Sequence, residues 1–587
     1  MRSTTLRPQL RSGPSCRPHT AAADVELLEW DMMDQSSAVL FCSDKIVFRT
    51  CRARQISKTT SYTFLDPPTP SYPAEPVKCI WLPRHGEASV FVDKYIRDIT
   101  YVHHVIHSAS LRKLMDDIYH DLDMRRPLHR GHVALLLSII ASATFLWTTR
   151  DNPDLYHSVD DARNQAASWV TATLDMLDYS RRTTNGSIED VQALIIVSFL
   201  VCNMEGTSIR YYNLVSTAIT TARQLSLHRI DHVSRRPSPD SIEAEVGRRV
   251  WWYLAALDWI LSRFAGPHEG ICTIQPRQMT VNKPRNIRDE DMVDGAPMFG
   301  LDLAQATSMS YFLQRIRLGE LCYEVSNNST ADQQEIADHD NTQQLDAHFE
   351  KFLSEFPPFF RLDDGDLAAP DRASKDPAIT VQTYILVNMV QARRCKLHLP
   401  SLSRSSAEPG LARSRQICLD AARQIIAAER RLEKETDIPF ALSRFRFGGT
   451  LYCLFLAIIA LLLDVCLNRV AEPEDSRRTE LSQAFQILEQ ARSQTKMATT
   501  LLESLHGLVS KYKVSLPSVS HDVPAHEAAM PLATMPDALG TGTGSNSVDL
   551  SSTELPFFDD IWQTFEGGMF LDEIDIDSMF AEMNACI

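Results

Sequence analysis

The feature that most constrains the fold of this chain is a helical spacing of apolar residues, which begins near Trp81 and persists to about Tyr512. Between Leu111 and Ile118, for example, apolar residues recur at i, i+3, i+4 and i+7, which forms one apolar helix face. Glycine is scarce, at 21 of 587 residues, which disfavours sandwiches, barrels and Gly-rich phosphate loops. No strand alternation is sustained enough to build a sheet. The chain is therefore predicted to be all-α.

The longest unbroken apolar run spans 451–463 and is stopped by Asp464. A membrane-spanning helix needs roughly 18 or more apolar residues, so this run predicts a buried core helix and no membrane partner. The helix predictions, in chain order, are 191–201, 208–225, 245–264, 304–324, 379–398, 411–434, 450–467 and 480–508.

Composition divides the chain into four predicted parts. Residues 1–76 form an irregular, mildly basic segment with prolines at both ends, and 77–513 form one large helical domain. Residues 514–547 are rich in Pro, Ser, Thr and Gly, which is typical of a disordered linker. Residues 548–587 form an acidic segment with many aromatic residues. Disordered segments are therefore expected on both sides of the helical domain.

The C-terminal 74 residues, 514–587, contain no Lys or Arg and hold 13 acidic residues, against a net charge of −16 for the whole chain. Bulky apolar residues alternate closely with these acids, so the rings stay apart and available to a partner's groove. This composition predicts an activation segment that folds into a helix on binding a coactivator. A solubilising tail, or a last helix packed on the domain, is the alternative. The expected coactivator contacts are Phe557, Phe558, Ile561, Trp562, Phe565, Phe570 and Leu571.

The sequence gives no support for a catalytic site or a metal site. There is no Gly-x-Ser-x-Gly elbow and no Gly-rich nucleotide loop, and none of the 12 cysteines forms a Cys-x-x-Cys pair. His103 and His107 have a spacing that can bind zinc, but a packed, hydrogen-bonded helix face explains them better. The charge run 289–291 is interpreted as solvated surface. We predict no catalytic residue, no metal ligand, no enzyme activity and a reducing compartment.

The most specific local pattern lies on the predicted helix 245–264. Two adjacent tryptophans, Trp251 and Trp252, bury large areas on two faces, so this helix should be central to the fold. Asp258 on the same helix needs a partner, because buried charges are rarely left unpaired. The candidate partners are Arg223, Arg248 and Arg249.

These residues carry a family resemblance. The segments 218–229 and 245–267 resemble the middle homology region of fungal zinc-cluster transcription factors, and so do 81–107, 281–284 and 384–402. Together the matching segments cover roughly 78–510. The resemblance implies an all-α regulatory domain in a nuclear regulator, with mainly architectural motif residues. These family-motif residues are Arg248, Arg249, Trp251, Trp252, Asp258, Ser262, Gly266 and Pro267.

The family also implies partners: a coactivator, DNA, a second copy or a related chain as dimer partner, and a small-molecule effector. Its usual six-cysteine zinc cluster is not matched, because only Cys16, Cys42, Cys51 and Cys79 precede the helical domain. Zinc is expected for the family, but its ligands are absent here, so no cofactor is predicted. Either the cluster has been lost or the gene model is incomplete. The segment 51–55 resembles the basic stretch of such clusters. Its candidates for residual DNA contact are Arg52 and Arg54.

We interpret the chain as a nuclear transcription regulator, and specifically as an activator of a fungal metabolic or secondary-metabolite gene cluster. A coregulator without its own DNA-binding domain is one alternative, and the missing cysteines favour it. The other is a helical small-molecule-binding protein with no transcriptional role.

Overall fold

The structure is a computed structural model. It describes residues 46–59, 62–64, 76–206, 208–233, 240–262, 270–328, 339–361, 376–404, 411–467, 474–511 and 514. The predicted linker and acidic segment lie almost entirely outside these residues, so their predictions stay predictions. The chain divides into two compact units. Unit 1 comprises 1–200, 212–260 and 272–320, and unit 2 comprises 201–211, 261–271 and 321–587.

The described residues are mostly helical, which confirms the predicted fold class. The helices of the first half are α1 (His85–Asp98), α2 (Thr100–His103), α3 (Ser108–Asp123), α4 (Arg130–Phe145), α5 (Val159–Thr183), α6 (Ile188–Glu205), α7 (Ile209–Gln224) and α8 (Ile242–Leu261). The helices of the second half are α9 (Ser310–Asn328), α10 (His339–Ser354), α11 (Pro377–Arg404), α12 (Ala412–Glu433), α13 (Pro439–Ser443), α14 (Gly448–Leu467), α15 (Glu474–Ala491) and α16 (Lys496–Lys511).

A small sheet in unit 1 corrects the prediction that the chain builds none. Its strands are β1 (Ile46–Cys51), β2 (Tyr62–Phe64) and β3 (Pro76–Pro83), in the order β1-β3-β2. Strand β3 pairs in parallel with β1 and antiparallel with β2. Trp81, where helical spacing was expected to begin, lies in β3. The strands are three to eight residues long and pair across the sequence, so no local periodicity reveals them.

Helix α1 begins with a cap that also holds the short turn after β1. The Glu87 carboxylate accepts the backbone N–H of Arg84 at 3.2 Å, which satisfies one donor at the helix start. The same oxygen accepts the N–H of Ala53 at 3.0 Å. This carboxylate therefore fixes the 3-10 turn Ala53–Lys58, which carries Arg54, against the first helix of unit 1.

Unit 2 is built around α14, whose apolar side chains lie within one cluster of buried residues from α11, α12, α15 and α16. By length and composition alone, Gly448–Cys466 is the described segment that could cross a membrane, and 83% of it is buried inside the protein. Its position agrees with the predicted core helix.

The predicted single helix 480–508 is wrong in one respect. The structure has two helices there, α15 and α16, and the chain turns between them at 492–495. The N–H of Gln494 bonds the carbonyl oxygen of Ala491 at 2.9 Å in this turn. Both helices bury leucines in the α14 cluster, such as Leu488 and Leu502, so the apolar spacing continues across the break. The predicted helix 304–324 begins later than expected, at Ser310.

Candidate functional site

Arg248, the first arginine of the family motif, is 2% exposed and binds two carboxylates. Its Nη2 lies 2.6 Å from Asp231 Oδ1, and its Nη1 lies 3.1 Å from Glu245 Oε2. Asp231 also accepts the N–H of Asn282 at 2.7 Å, and Glu245 accepts the N–H of Arg285 at 2.8 Å. These bonds tie α8 to the stretch of unit 1 that follows it, residues 273–289, which is called the extended segment below.

Arg249 is fully buried and binds the same segment further along. Its Nη1 lies 2.7 Å from Asp289 Oδ1, and Asp289 Oδ2 accepts the N–H and the hydroxyl of Ser108, both at 2.9 Å. Burial raises the pKa of Asp289, but the Arg249 charge and these hydrogen bonds outweigh it and lower that pKa to about 2. The prediction of a solvated run at 289–291 is therefore wrong for Asp289. The last two residues of the run are exposed.

Two tryptophans of α8 also hold the extended segment on this helix through hydrogen bonds. Trp252 Nε1 donates to the carbonyl oxygen of Asn282 at 2.9 Å, and Trp259 Nε1 donates to that of Ile274 at 2.8 Å. The rings of Trp252 and Trp259 meet edge to face, with centroids 6.1 Å apart, and Trp251 is buried on the other side of the helix. The helix is central to unit 1, as predicted.

Asp258 is 1% exposed and is held by backbone and hydroxyl donors. Its Oδ2 accepts the N–H of Ile274 at 2.8 Å, and its Oδ1 accepts the hydroxyl of Thr273 at 2.6 Å. Of the arginines considered as partners, Arg248 and Arg249 bind the carboxylates described above, and Arg223 donates to the carbonyl oxygen of Thr273 at 2.8 Å. Asp258 therefore anchors the start of the extended segment.

Ser262, the remaining motif residue that the structure describes, belongs to unit 2. The Ser262 hydroxyl lies 2.9 Å from that of Ser326, and the Ser262 carbonyl oxygen accepts the N–H of Gly270 at 2.9 Å. Gly266 and Pro267 lie outside the described residues. Most of the described motif residues thus meet in ion pairs or hydrogen bonds, while the indole N–H of Trp251 is buried without a hydrogen-bond partner among the described residues. The arrangement is suited to holding a fold.

Comparison with known proteins assigns the motif residues to a known family. The family model of the fungal specific transcription factor domain matches residues 92–352, which include α8 and the segment attached to it. The probable transcription factor lepB of Aspergillus flavus is 35% identical over 84% of this chain and 91% of its own length. This chain belongs to the fungal transcription factors that carry that domain. It is a transcription regulator.

Two more distant relatives of this fungal transcription factor are also named as transcription factors. The agnestins biosynthesis cluster transcription factor AgnL11 of Paecilomyces divaricatus is 26% identical over 73% of this chain, and transcription factor TAS2 of Pyricularia oryzae is 27% identical over 74%. The alignments span 62% and 61% of those two proteins. None of the three names describes an enzyme.

The zinc cluster expected of the family does not fit the cysteines that the structure describes near β1 and β3. Cys51 lies opposite Pro83 in the strand pairing, and Cys79 lies opposite Val47, so the two thiols are not adjacent on the ladder. Burial, with the Glu87 charge, raises the pKa of Cys51 to about 11, whereas zinc binds the thiolate. Cys16 and Cys42 lie outside the described residues.

The two basic residues proposed for DNA contact follow β1 in this fungal transcription factor. Arg52 is exposed, and Arg54 is half-buried with its Nη1 3.4 Å from His157 Nε2. The carbonyl oxygen of Arg54 also accepts the side-chain amide of Gln165. Arg54 therefore helps to hold the turn on α5, and its role in DNA contact stays a prediction.

His103 and His107 do not share a helix face, because the chain turns between them. His104 has φ 51°, in the left-handed region, and ends α2, so His107 caps α3 instead, accepting the N–H of Ser110. His129, His132 and Glu189 bring possible ligand atoms within 4.8 Å of one another at the surface. The sequence gives no sign of this group, since Glu189 is distant from both histidines in the chain. The prediction of no metal ligand stays a prediction.

The Asp289 carboxylate gives this site an acid-dependent stability. Because its pKa is lowered in the folded protein, its contribution is complete above the ordinary value of 3.8 and is lost as the pH falls through about 2. We expect the stability difference between the wild type and Asp289→Asn to be constant from pH 5 upward and to shrink below pH 4. Urea unfolding at a series of pH values measures it. A difference that stays constant down to pH 2 would contradict the assignment.

Proposed function

We propose that this transcription regulator is a nuclear activator of a fungal metabolic or secondary-metabolite gene cluster. Its helical domain senses a small molecule or a partner, and its C-terminal segment recruits a coactivator. Support for the pathway comes from relatives whose names refer to such clusters, among them the agnestins cluster factor and the pyrrolocin cluster factor fsdR of a fungal species. Nuclear localisation follows from the action on transcription.

The composition of the C-terminal segment carries the activator proposal. Between Phe557 and Phe570 five large aromatic residues are interspersed with acids, and the 74 residues 514–587 contain no Lys or Arg. A groove on a coactivator that is apolar at its centre and basic at its rim would bind such a segment. A purely solubilising tail needs the acids but has no need of the rings.

The helical domain supplies the rigid part of this mechanism. In unit 1, α8 holds the extended segment through two buried arginines and two indole hydrogen bonds. A ligand or partner that binds such a preorganised unit can change the state of attached segments only by a difference in affinity between two states. In this proposal those two states expose and withhold the C-terminal segment.

The proposal allows two routes by which the regulator contacts DNA. The regulator reaches DNA either through its own basic residues, with Arg52 and Arg54 as candidates, or through a zinc-cluster partner with which it forms a dimer. A coregulator role is the second candidate function, and one observation supports it: Cys51 lies opposite Pro83 and Cys79 opposite Val47 in the strand pairing, so the two thiols are not adjacent. Phosphate neutralisation and base readout both need a positioned basic element.

A reporter assay tests the activation segment. Residues 514–587 are fused to an unrelated DNA-binding domain in a yeast host, where we expect strong activation. Replacing Trp562 and Phe565 by alanine should lower it by about tenfold or more, because buried aromatic anchors dominate such contacts.

The matched control replaces Gln563 and Thr564, the polar residues between those rings, by alanine, and it should activate as strongly as the unchanged segment. Equal activation by both double variants would remove the assigned contacts. An inactive fusion, expressed at the level of a known activator fusion, would remove the activator role. The small-molecule-binding alternative would then be favoured.

A further inference from the structure

Arg315 in α9 is a deeply buried cation of unit 1, with 6% of its surface exposed. Its guanidinium carbon lies 4.2 Å from the centre of the Tyr253 ring, and its Nη1 donates to the Tyr253 carbonyl oxygen at 3.3 Å. No carboxylate among the described residues lies within ion-pair distance of it. The ring and the carbonyl dipole offset part of the charge, but a buried guanidinium normally has an anionic partner. Arg249 in the same unit, for example, has Asp289.

His103 lies beside this cation with both ring nitrogens buried and without a hydrogen-bond partner among the described residues. Its ring packs edge to face on Phe199, with centroids 4.6 Å apart, and lies 5.9 Å from Tyr253. Burial, followed by the charges of Arg315 and His104, lowers the pKa of His103 to about 3. The imidazole is therefore neutral, with one donor and one acceptor to offer.

Tyr95 in α1 adds a third polar group to the same region. The side chain is 1% exposed, and its hydroxyl has no hydrogen-bond partner among the described residues. Burial, together with the neighbouring Tyr253 phenol, raises the pKa of Tyr95, so it stays protonated and can donate. Buried polar groups without a partner destabilise a fold, so two such side chains, His103 and Tyr95, near a buried cation call for a physical reason.

The chemistry of these groups selects one class of ligand. One unbalanced positive charge matches one negative charge, and the hydroxyl and imidazole can donate to carboxylate oxygens. The neighbouring rings are aromatic, since Tyr253 lies 6.4 Å from Phe312 and His103 packs on Phe199. Offset and edge-to-face contacts of such rings favour an aromatic guest over an aliphatic one.

We propose that Arg315, His103 and Tyr95 of unit 1 form a binding site for a small aromatic monocarboxylate. Arg315 pairs with the carboxylate, Tyr95 and His103 donate to its oxygens, and the ring of the acid packs among Phe199, Tyr253 and Phe312. The binding rests on these contacts and does not depend on the transcriptional role.

Saturation-transfer NMR on the full chain tests the site, with 4-hydroxybenzoate and its neutral isostere 4-hydroxybenzamide as probes. We expect the acid to bind with a Kd below about 10 mM and the amide to bind at least about tenfold more weakly. Arg315→Met should raise the Kd of the acid at least about tenfold, and Tyr95→Phe at least about threefold. Arg317→Met, a charge removal two residues away where Nη1 bonds Gln314, should leave it unchanged.

Thermal unfolding of the same variants without ligand separates a binding role from a structural one. Tyr95→Phe and Arg315→Met remove unbalanced polar groups, so neither should have a lower Tm than the wild type. Equal binding of acid and amide, absent binding of the acid, or a response to inorganic phosphate alone would overturn the proposal. So would a marked loss of Tm in Arg315→Met, because that loss would show that the contacts of the guanidinium with Tyr253 already stabilise the fold without a ligand.

Discussion

Replacing Arg249 by methionine is expected to lower the free energy of unfolding of unit 1 by about 3 kcal/mol, the cost typical of removing one partner from a buried ion pair. Arg249 is fully buried, and its partner Asp289 is 13% exposed at the side chain. Methionine fills most of the space but leaves the carboxylate with only the Ser108 donors. The substitution also removes one of the attachments of the extended segment to α8, so the loss should exceed that of an ordinary surface substitution.

Urea unfolding followed by tryptophan fluorescence measures this loss, because Trp251, Trp252 and Trp259 lie on the same helix. The matched control is Arg288→Met. Arg288 lies 3.9 Å from Asp291, and both side chains are 54% exposed. This substitution should therefore change the free energy of unfolding by less than about 0.5 kcal/mol. If Arg249→Met were no more destabilising than Arg288→Met, the buried pair would not be what holds the segment.

The sequence predicts the helices of this regulator well where one face is apolar and a cap or break ends it. Helix α7 begins after Ser208, whose hydroxyl accepts the N–H of Tyr211 at 3.3 Å, and α8 lies where the paired tryptophans require a central helix. Such features are local, so a single sequence contains them. The turn between α15 and α16 is missed because both helices face the same apolar cluster and no Gly or Pro marks the break.

The site is less predictable, because its partners come from distant segments. The motif arginines can be recognised from the sequence, but their carboxylates cannot. Asp289 is indistinguishable in the sequence from its exposed neighbours Glu290 and Asp291, and only the fold brings it to Arg249. The His103–Arg315–Tyr95 region depends on three helices whose order in the chain gives no sign of contact. Pairing at long sequence separation is therefore the missing information in both cases.

Asp464→Asn should produce a loss of about 3–5 kcal/mol in unit 2, the largest expected there for a change of one atom. Asp464 is 3% exposed on the apolar helix α14, where its Oδ1 lies 2.7 Å from Arg415 Nε and its Oδ2 lies 3.3 Å from Arg477 Nη1. Asparagine keeps the shape but removes the charge, which leaves two largely buried guanidiniums without their shared anion.

This result also separates a core helix from a helix that faces lipid, which α14 resembles by length and composition. A carboxylate facing lipid is unfavourable, so its removal would favour insertion, whereas in a packed core the same change destabilises the fold. Circular dichroism during urea unfolding measures the effect. Asp420→Asn is the control: its contact with Arg423 is 3.6 Å long and its side chain is 59% exposed, so stability should change by less than about 0.5 kcal/mol. Unchanged stability in Asp464→Asn would mean that the two arginines find other partners and that this carboxylate does not organise the core of unit 2.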